Sequence, residues 1–241
     1  MKLFFLFLSF FTTTFAIYIG EDRDSSSESH ESYGGRRGHK HRHHYNDDDN
    51  YEPRPPRQQC EDGWTFFQRP SGGWCMKVFP GTWDQAISES QCQSQGAVLS
   101  GIQNQAELNW IVSTSLIIIS PQVSGGVWIG IKRRPECLGQ IQTDTCTKTN
   151  SFYWTDNSTS GIKGMVFQLN EPNNGNAPPG PNRNQDCALL SVAHTPTFDA
   201  VSTYWSGQMD DIYCFVSGTS YWPPGTLPRV NRAYVCGKKS R

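Results

Sequence analysis

Seven side chains that offer oxygen to a hard cation crowd into the second half of this sequence: Glu171, Asn173, Asn174, Gln185, Asp186, Asp210 and Asp211. They lie in or beside stretches rich in Gly, Pro and Asn. Carboxylates mixed with amides are the donor set that calcium takes, about six to eight oxygens at a time. The same residue types are also ordinary turn formers, so their spacing leaves both readings open. Catalysis finds no comparable support. From Cys60 onward there is one histidine, His194, and no Ser/His/Asp or Cys/His constellation can be built around it. The acidic residues suit a cation better than a glycosidase pair, because their cluster would surround the ion. No catalytic residue is assigned, and the chain is read as a non-enzyme.

The elements that must position these groups are confined to one part of the chain. All eight tryptophans and all eight cysteines fall between Cys60 and Cys236. Residues 60–241 therefore read as one folded domain, long enough to bury a core. Its 13 Lys+Arg balance 13 Asp+Glu, and the whole chain carries a formal charge of −1, so nothing in the charge points to nucleic acid. Residues 1–16 read as a signal peptide: Lys2, an apolar run from Leu3 to Phe11, then small residues around Ala16. The other reading, an uncleaved anchor, needs about 20 apolar residues to span a bilayer. No transmembrane segment is expected, and the mature protein is expected outside the cell.

Residues 17–59 form a spacer of Ser, Gly, His and mixed charge. It has no aliphatic residue after Ile19, too little apolar surface to offset the entropy of ordering it. Its His30, His39, His41, His43 and His44 offer contact to zinc, copper or nickel. With Arg36, Arg37, Lys40 and Arg42 they also offer contact to anionic surfaces below about pH 6.5. A solvated polyampholyte is the plainer reading.

Within the domain, Thr82 to Glu89 reads as a helix start capped by Thr82, with Trp83, Ala86, Ile87 and Ser90 at helical spacing and Gly96 as its end. A second helix begins at Asn104 with Glu107 as capping-box partner and Leu108, Ile111 and Val112 as its buried face. Val127–Ile131, Phe152–Trp154, Cys187–Leu190 and Ala233–Cys236 read as strands. Helices first and short strands after indicate an α+β domain. Eight cysteines in an exported chain read as disulfides. Cys60 and Cys75 flank a short aromatic hairpin, Cys137 and Cys146 bracket a local loop, and Cys92, Cys187, Cys214 and Cys236 lie far apart. Asn157-Ser158-Thr159 is a glycosylation sequon, with Asn157 the acceptor.

The order of these features resembles a C-type lectin domain over essentially all of Cys60–Cys236. The resemblance rests on the Cys60/Cys75 hairpin, Gly96-Ala97-Val98-Leu99, Glu107 with Trp110-Ile111, Trp128-Ile129-Gly130, Trp154-Thr155-Asp156, Glu171-Pro172-Asn173, Asp186-Cys187, Asp210-Asp211 with Cys214, and Tyr234-Val235-Cys236. The Cys137/Cys146 pair ahead of Phe152-Tyr153-Trp154 looks like the secreted lectin-like domains common in nematodes. The resemblance implies a C-type lectin fold of two helices with antiparallel sheets and a long calcium-binding loop region. It also implies four disulfides: Cys60–Cys75, Cys92–Cys236, Cys187–Cys214 and Cys137–Cys146.

It further implies a Ca2+ site held by Glu171, Asn173, Gln185, Asp210 and Asp211, with a cis bond before Pro172. Glu171, Asn173, Gln185 and Asp210 would contact carbohydrate, and Glu-Pro-Asn is the family's signature for mannose-type glycans. Gln185 stands where the family has glutamate, Asp210 where it has asparagine, and Met209 where it has tryptophan. Acid and amide have in effect changed places, so three carboxylates still face the ion. Glu171 with Asn173 would serve one ring hydroxyl and Asp210 with Gln185 its neighbour. The loop 174–184 and the long segments flanking Cys214 enlarge this region. Tyr204, Trp205, Tyr221 and Trp222 are candidates to stack on a sugar, although packing into the interior is the commoner fate of such residues. The expectation is a secreted calcium-dependent lectin recognising microbial surface glycans in innate defence. The alternative is a calcium-independent module of the same fold that binds protein or lipid.

Overall fold

The computed structural model describes residues 59–175, 184–195, 197–198, 203–218 and 229–241. The signal peptide, nearly all of the spacer, most of the loop 174–184, and Tyr221 and Trp222 lie outside these residues. The described chain runs β1 (Thr65–Arg69), β2 (Gly72–Pro80), α1 (Gln85–Ser94), β3 (Val98–Leu99), α2 (Gln105–Ile118), β4 (Ser124–Arg133) and β5 (Phe152–Trp154). It continues through β6 (Cys187–Ala193), β7 (Thr197–Phe198), β8 (Thr203–Tyr204), β9 (Met209–Ile212) and β10 (Asn231–Lys239).

The main sheet has the order β1-β2-β10-β4-β6-β9, with β3 added to β10 and β5 to β4. Its pairings are antiparallel, as expected, except for β10 against β4, which is parallel. Alternation along β4 decides what the sheet covers. Val127, Ile129 and Ile131 point into a core with Leu108 and Ile111 of α2, while Trp128 joins Cys92, Tyr234 and Cys236 on the other side, under α1.

The helices show which sequence signals operate. Asn104 caps α2 by accepting the Glu107 N–H at 3.1 Å. The return half of the capping box does not form as expected. Glu107 instead accepts from the Gln103 N–H (2.8 Å) and takes Arg69 at both carboxylate oxygens, Nε to Oε1 and Nη2 to Oε2, each 2.8 Å. For α1 the cap is Asp84, which accepts the Ile87 N–H at 2.8 Å, and not Thr82. Its buried side is Gln85, Ser88 and Cys92, whereas Trp83 and Ile87 are each 44% exposed. The Cys92–Cys236 bridge turns the helix this way, because it ties Cys92 to the central strand β10.

Four disulfides staple the fold: Cys60–Cys75, Cys92–Cys236, Cys137–Cys146 and Cys187–Cys214. The second closes a separation of 144 residues, which restricts the unfolded chain by about 4–5 kcal/mol in the entropy model. Beneath the hairpin, Arg69 is a fully buried cation. Besides Glu107 it reaches Asp156 Oδ2 (3.0 Å), Ser100 Oγ (3.2 Å), Thr159 Oγ1 (3.0 Å) and the Gly101 carbonyl (3.0 Å). Burial alone would raise the Asp156 carboxyl. Hydrogen bonds from Thr159 and Ser158 and the Arg69 charge outweigh it and hold the group below the usual carboxylate range.

Candidate metal centre

The candidate ligands come from two pieces of chain, one irregular and one regular. The irregular piece is held first at Gly164, where a Cβ would stand 1.9 Å from the Ile102 carbonyl oxygen. Only a residue without a side chain lets the loop lie that close to the start of α2. The loop is then clipped to β9. Met209 N–H donates to the Val166 carbonyl (2.7 Å), and the Met209 carbonyl accepts from the Gln168 N–H (3.0 Å). Met209 is fully buried in the core that α2 covers, so the residue replacing the family tryptophan anchors both pieces. Asn170 turns the chain at a positive φ of 68°, and the Glu171–Pro172 bond is cis. Glu171 is thereby set against β9, whose Asp210 and Asp211 pair in register with Leu189 and Ala188 of β6.

Glu171, Asp210 and Asp211 are all buried, and each offers a carboxylate oxygen within 4.8 Å of the other two. The backbone following Pro172 wraps this triad. Asn173 N–H donates to Glu171 Oε2 (3.1 Å) and Asp211 Oδ1 (3.0 Å), and Asn174 N–H to Asp211 Oδ2 (2.8 Å). The Asn173 side-chain amide donates to Glu171 Oε1 at 2.8 Å. Gln185 stands one step back: its Oε1 accepts from Gly175 N–H, and its own N–H donates to Asn174 Oδ1 at 2.9 Å. Four of the five expected ligands thus meet directly, and Gln185 is joined to them through Asn174 and Gly175.

Two arginines that the motif did not reveal complete the surroundings. Arg133, at the end of β4, pairs with Asp211, lies 3.6 Å from Asp186 and donates to the Gln185 carbonyl (3.1 Å). Arg229, just before β10, pairs with Asp210 and lies over the Tyr204 ring at 3.9 Å. One of them was legible. Arg133 continues the inward-facing series Val127, Ile129, Ile131, and a cation on that face of a strand needs a buried acid. No comparable signal marks Arg229.

The electrostatics follow from crowding. Burial first, then the Asp210 charge, a hydrogen bond shared with Asp211 and the Asp211 charge push the Glu171 carboxyl up to about 10, against a weaker pull from the Asn173 N–H. Burial also raises Asp186, opposed by Arg133. Fully ionised, the four carboxylates Glu171, Asp186, Asp210 and Asp211 exceed the two guanidinium groups by two charges, and a proton on Glu171 reduces the excess to one. Oxygen donors and the two charges available once that proton leaves fit a divalent hard cation such as calcium.

The other candidate residues are placed as follows. Asn157 is exposed at a turn with φ 53°, while the sequon hydroxyl of Thr159 is engaged by Asp156 Oδ2 at 2.7 Å. Tyr204 is buried and Trp205 is 53% exposed. His194 is exposed beyond the end of β6. Among the described residues no helix is long and apolar enough to cross a membrane.

Residues 67–239 match the family model described as C-type lectin domain-containing protein 141/158. No curated protein matches the chain. Among solved structures it is similar to the cow C-type carbohydrate-recognition domain of CD23 in the presence of a GlcNAc2Man3 oligosaccharide, with 16% identity, 76% of this chain and 98% of that one covered, and a TM-score of 0.46. It is also similar to the human scavenger receptor C-type lectin carbohydrate-recognition domain (19% identity, 75% and 99% covered, TM-score 0.44). A third similar structure is a calcium-independent type II antifreeze protein (19% identity, 78% and 100% covered, TM-score 0.43). The family match begins within β1 and ends at the last residue of β10, taking in both helices and all or part of every strand of the main sheet: the chain belongs to the C-type lectin domain family.

Proposed function

We propose that this protein is a secreted, calcium-dependent lectin that binds mannose-type glycans, such as those of microbial surfaces, through Glu171, Asn173, Gln185, Asp210 and Asp211. The observation that carries this reading is the buried triad Glu171, Asp210 and Asp211, within 4.8 Å of one another, in which Arg133 and Arg229 pair with two of the three carboxylates. With two of the carboxylates paired to arginine, the third is ionised in so small a volume only when a further cation replaces its proton. Calcium would supply the positive charge and open coordination positions for two neighbouring sugar hydroxyls. Asn173 and Glu171, already hydrogen bonded, are the amide and acid available to one hydroxyl. Asp210 and Gln185 are the pair for the other. Hydrogen bonds to charged acceptors are the stronger kind, which suits a shallow, wet site. The four disulfides support export to an oxidising compartment, and the exposed Asn157 suits a glycan.

One observation favours a second reading. Arg133 and Arg229 already pair with Asp211 and Asp210, as they would in a lectin-like module that has exchanged the ion for internal cations and binds protein or lipid instead. Equilibrium dialysis of calcium against the full-length secreted protein and its Glu171→Gln and Asp211→Asn variants separates the two. The lectin reading expects one calcium bound by the parent and a loss of at least about tenfold in affinity in each variant, the equivalent of one ligand bond. Equal binding by all three proteins would sink it.

A further inference from the structure

A cleft of about 550 Å3 lies where three segments meet: the residues leading into β1 from Gln59 to Glu61, the turn from α1 into β3, and the end of β10 with Arg241. Its volume is that of a small-molecule site, and it shares no lining residue with the triad. The first and last segments are tied together by two backbone bonds of 3.1 Å each, Gln59 N–H to the Arg241 carbonyl and Arg241 N–H to the Gln59 carbonyl.

The charge here is one-sided. Among the described residues, the lining side chains bring three cations, Lys238, Lys239 and Arg241, and two acids, Glu61 and Asp156. Asp156 is taken by the buried Arg69, so Glu61 alone answers the cations. Its Oε2 accepts from Lys238 Nζ at 2.7 Å, and its Oε1 pairs with Arg241. Lys238 Nζ also meets the Gln95 carbonyl (3.3 Å) and lies over the Trp64 ring at 4.2 Å, which fixes its position. Lys239 is exposed, and Lys77 stands diagonal to Lys238 on the same face of the β2–β10 ladder. A single carboxylate bridging two cations fills the position that an incoming oxyanion would take. Its side chain is 37% exposed, and pairs so open to water are held weakly.

The rest of the lining narrows the class of anion. The side-chain amides of Gln59 and Gln95 donate and accept, as hydroxyl groups require. The aromatic ring of the lining, Trp74, is 4% exposed with Arg69 over its face at 4.8 Å, so a nucleic-acid base has nothing to stack on. None of the exposed large apolar side chains among the described residues lines the cleft, which leaves nothing to enter a bilayer. Anionic groups carried on hydroxylated rings meet all three conditions.

We propose that this cleft binds sulfated polysaccharide independently of calcium: Lys238, Lys239 and Arg241 take the sulfate groups, and Glu61 is the internal anion that the ligand displaces. The triad takes no part, so this site and the lectin reading stand or fall separately.

The test is calorimetric titration of the full-length protein at pH 8 in EDTA with a heparin-derived tetrasaccharide and its desulfated counterpart. At that pH the spacer histidines are neutral, and the spacer is the same in every variant. The parent should bind the sulfated form alone, equally well in calcium, and less tightly as salt is added. Replacing both lysines, Lys238→Gln with Lys239→Gln, should weaken binding roughly tenfold, the scale of two solvent-screened ion pairs. Glu61→Gln should strengthen it several-fold, a gain that misfolding cannot produce. Asp62→Asn, the same charge change at an exposed neighbour outside the lining, should do less. Glu171→Gln should bind the tetrasaccharide as the parent does, whatever it does to calcium. The proposal is overturned if the double lysine variant binds like the parent, or if Glu61→Gln gains no more than Asp62→Asn. Single-stranded DNA that bound as tightly through the same residues would overturn the assignment to a sulfated sugar.

Discussion

Calcium binding should expel a proton. In the ion-free protein the Glu171 carboxyl is pushed up to about 10, by burial first and then by Asp210 and Asp211. At pH 7 the triad therefore holds one proton that a cation must displace, a proton shared within the coupled cluster. The sign is fixed by this ordering. The ion competes with the proton, so apparent calcium affinity rises with pH across neutrality and levels off near the raised value. Well below that value about one proton should leave per calcium bound, and apparent affinity should change by close to tenfold per pH unit. The same shift bears on folding. The unfolded chain releases this proton near the ordinary glutamate value, so the ion-free fold is favoured by the raised pKa at low pH and loses that advantage as pH climbs from about 4.5 toward 10. Calorimetric titrations of calcium at one pH in buffers of different ionisation enthalpy count the proton directly. If the observed heat does not change between buffers, no proton is released, and the crowded triad described here is wrong.

Three further outcomes follow from the contacts. Arg69→Met leaves Glu107 and Asp156 buried without their cation and should cost about 3–5 kcal/mol in urea unfolding; a loss under 1 kcal/mol would show the network to be dispensable. Arg229→Ala removes the cation paired with Asp210 and should strengthen calcium binding several-fold, measured by equilibrium dialysis, because the ion no longer competes with a fixed positive charge. Gly164→Ala would place a methyl group 1.9 Å from the Ile102 carbonyl oxygen. It should lower both the melting temperature and calcium affinity, since the displaced loop carries Glu171.

The parts of this architecture legible from sequence are those governed by neighbours in the chain. Asn104 and Glu107 are three residues apart, and the α2 cap between them formed as the pattern implied, although Glu107 turned its carboxylate to Arg69, 38 residues away. At the start of α1 the apolar residues Trp83, Ala86 and Ile87 recur at helical spacing, yet Trp83 and Ile87 are each 44% exposed. The side that is buried was decided by a disulfide partner 144 residues distant. The β4, β5, β6 and β10 strands were visible as short apolar runs, but the parallel pairing of β10 with β4 is a property of the whole sheet. The site shows the same division. Glu171, Asn173, Asp210 and Asp211 could be named through the family's motif order. Composition alone could not have joined Glu171 to residues about 40 positions later. Arg229 gave no local sign at all, because what defines it is the company it keeps in the folded chain.

A protein whose triad binds calcium, with the bound ion carrying the sugar, should melt differently in each ligand state. The most direct measurement is the melting temperature of the full-length protein in EDTA, in calcium, and in calcium with mannose. A ligand at about 100 times its dissociation constant stabilises by about 2.7 kcal/mol. For a domain of this size that is a rise of roughly 5–10 °C. That rise is expected with calcium, and a further one with mannose only when calcium is present. Superimposable melts in EDTA and calcium would contradict it and leave a lectin-like fold whose internal arginines have taken the place of the ion.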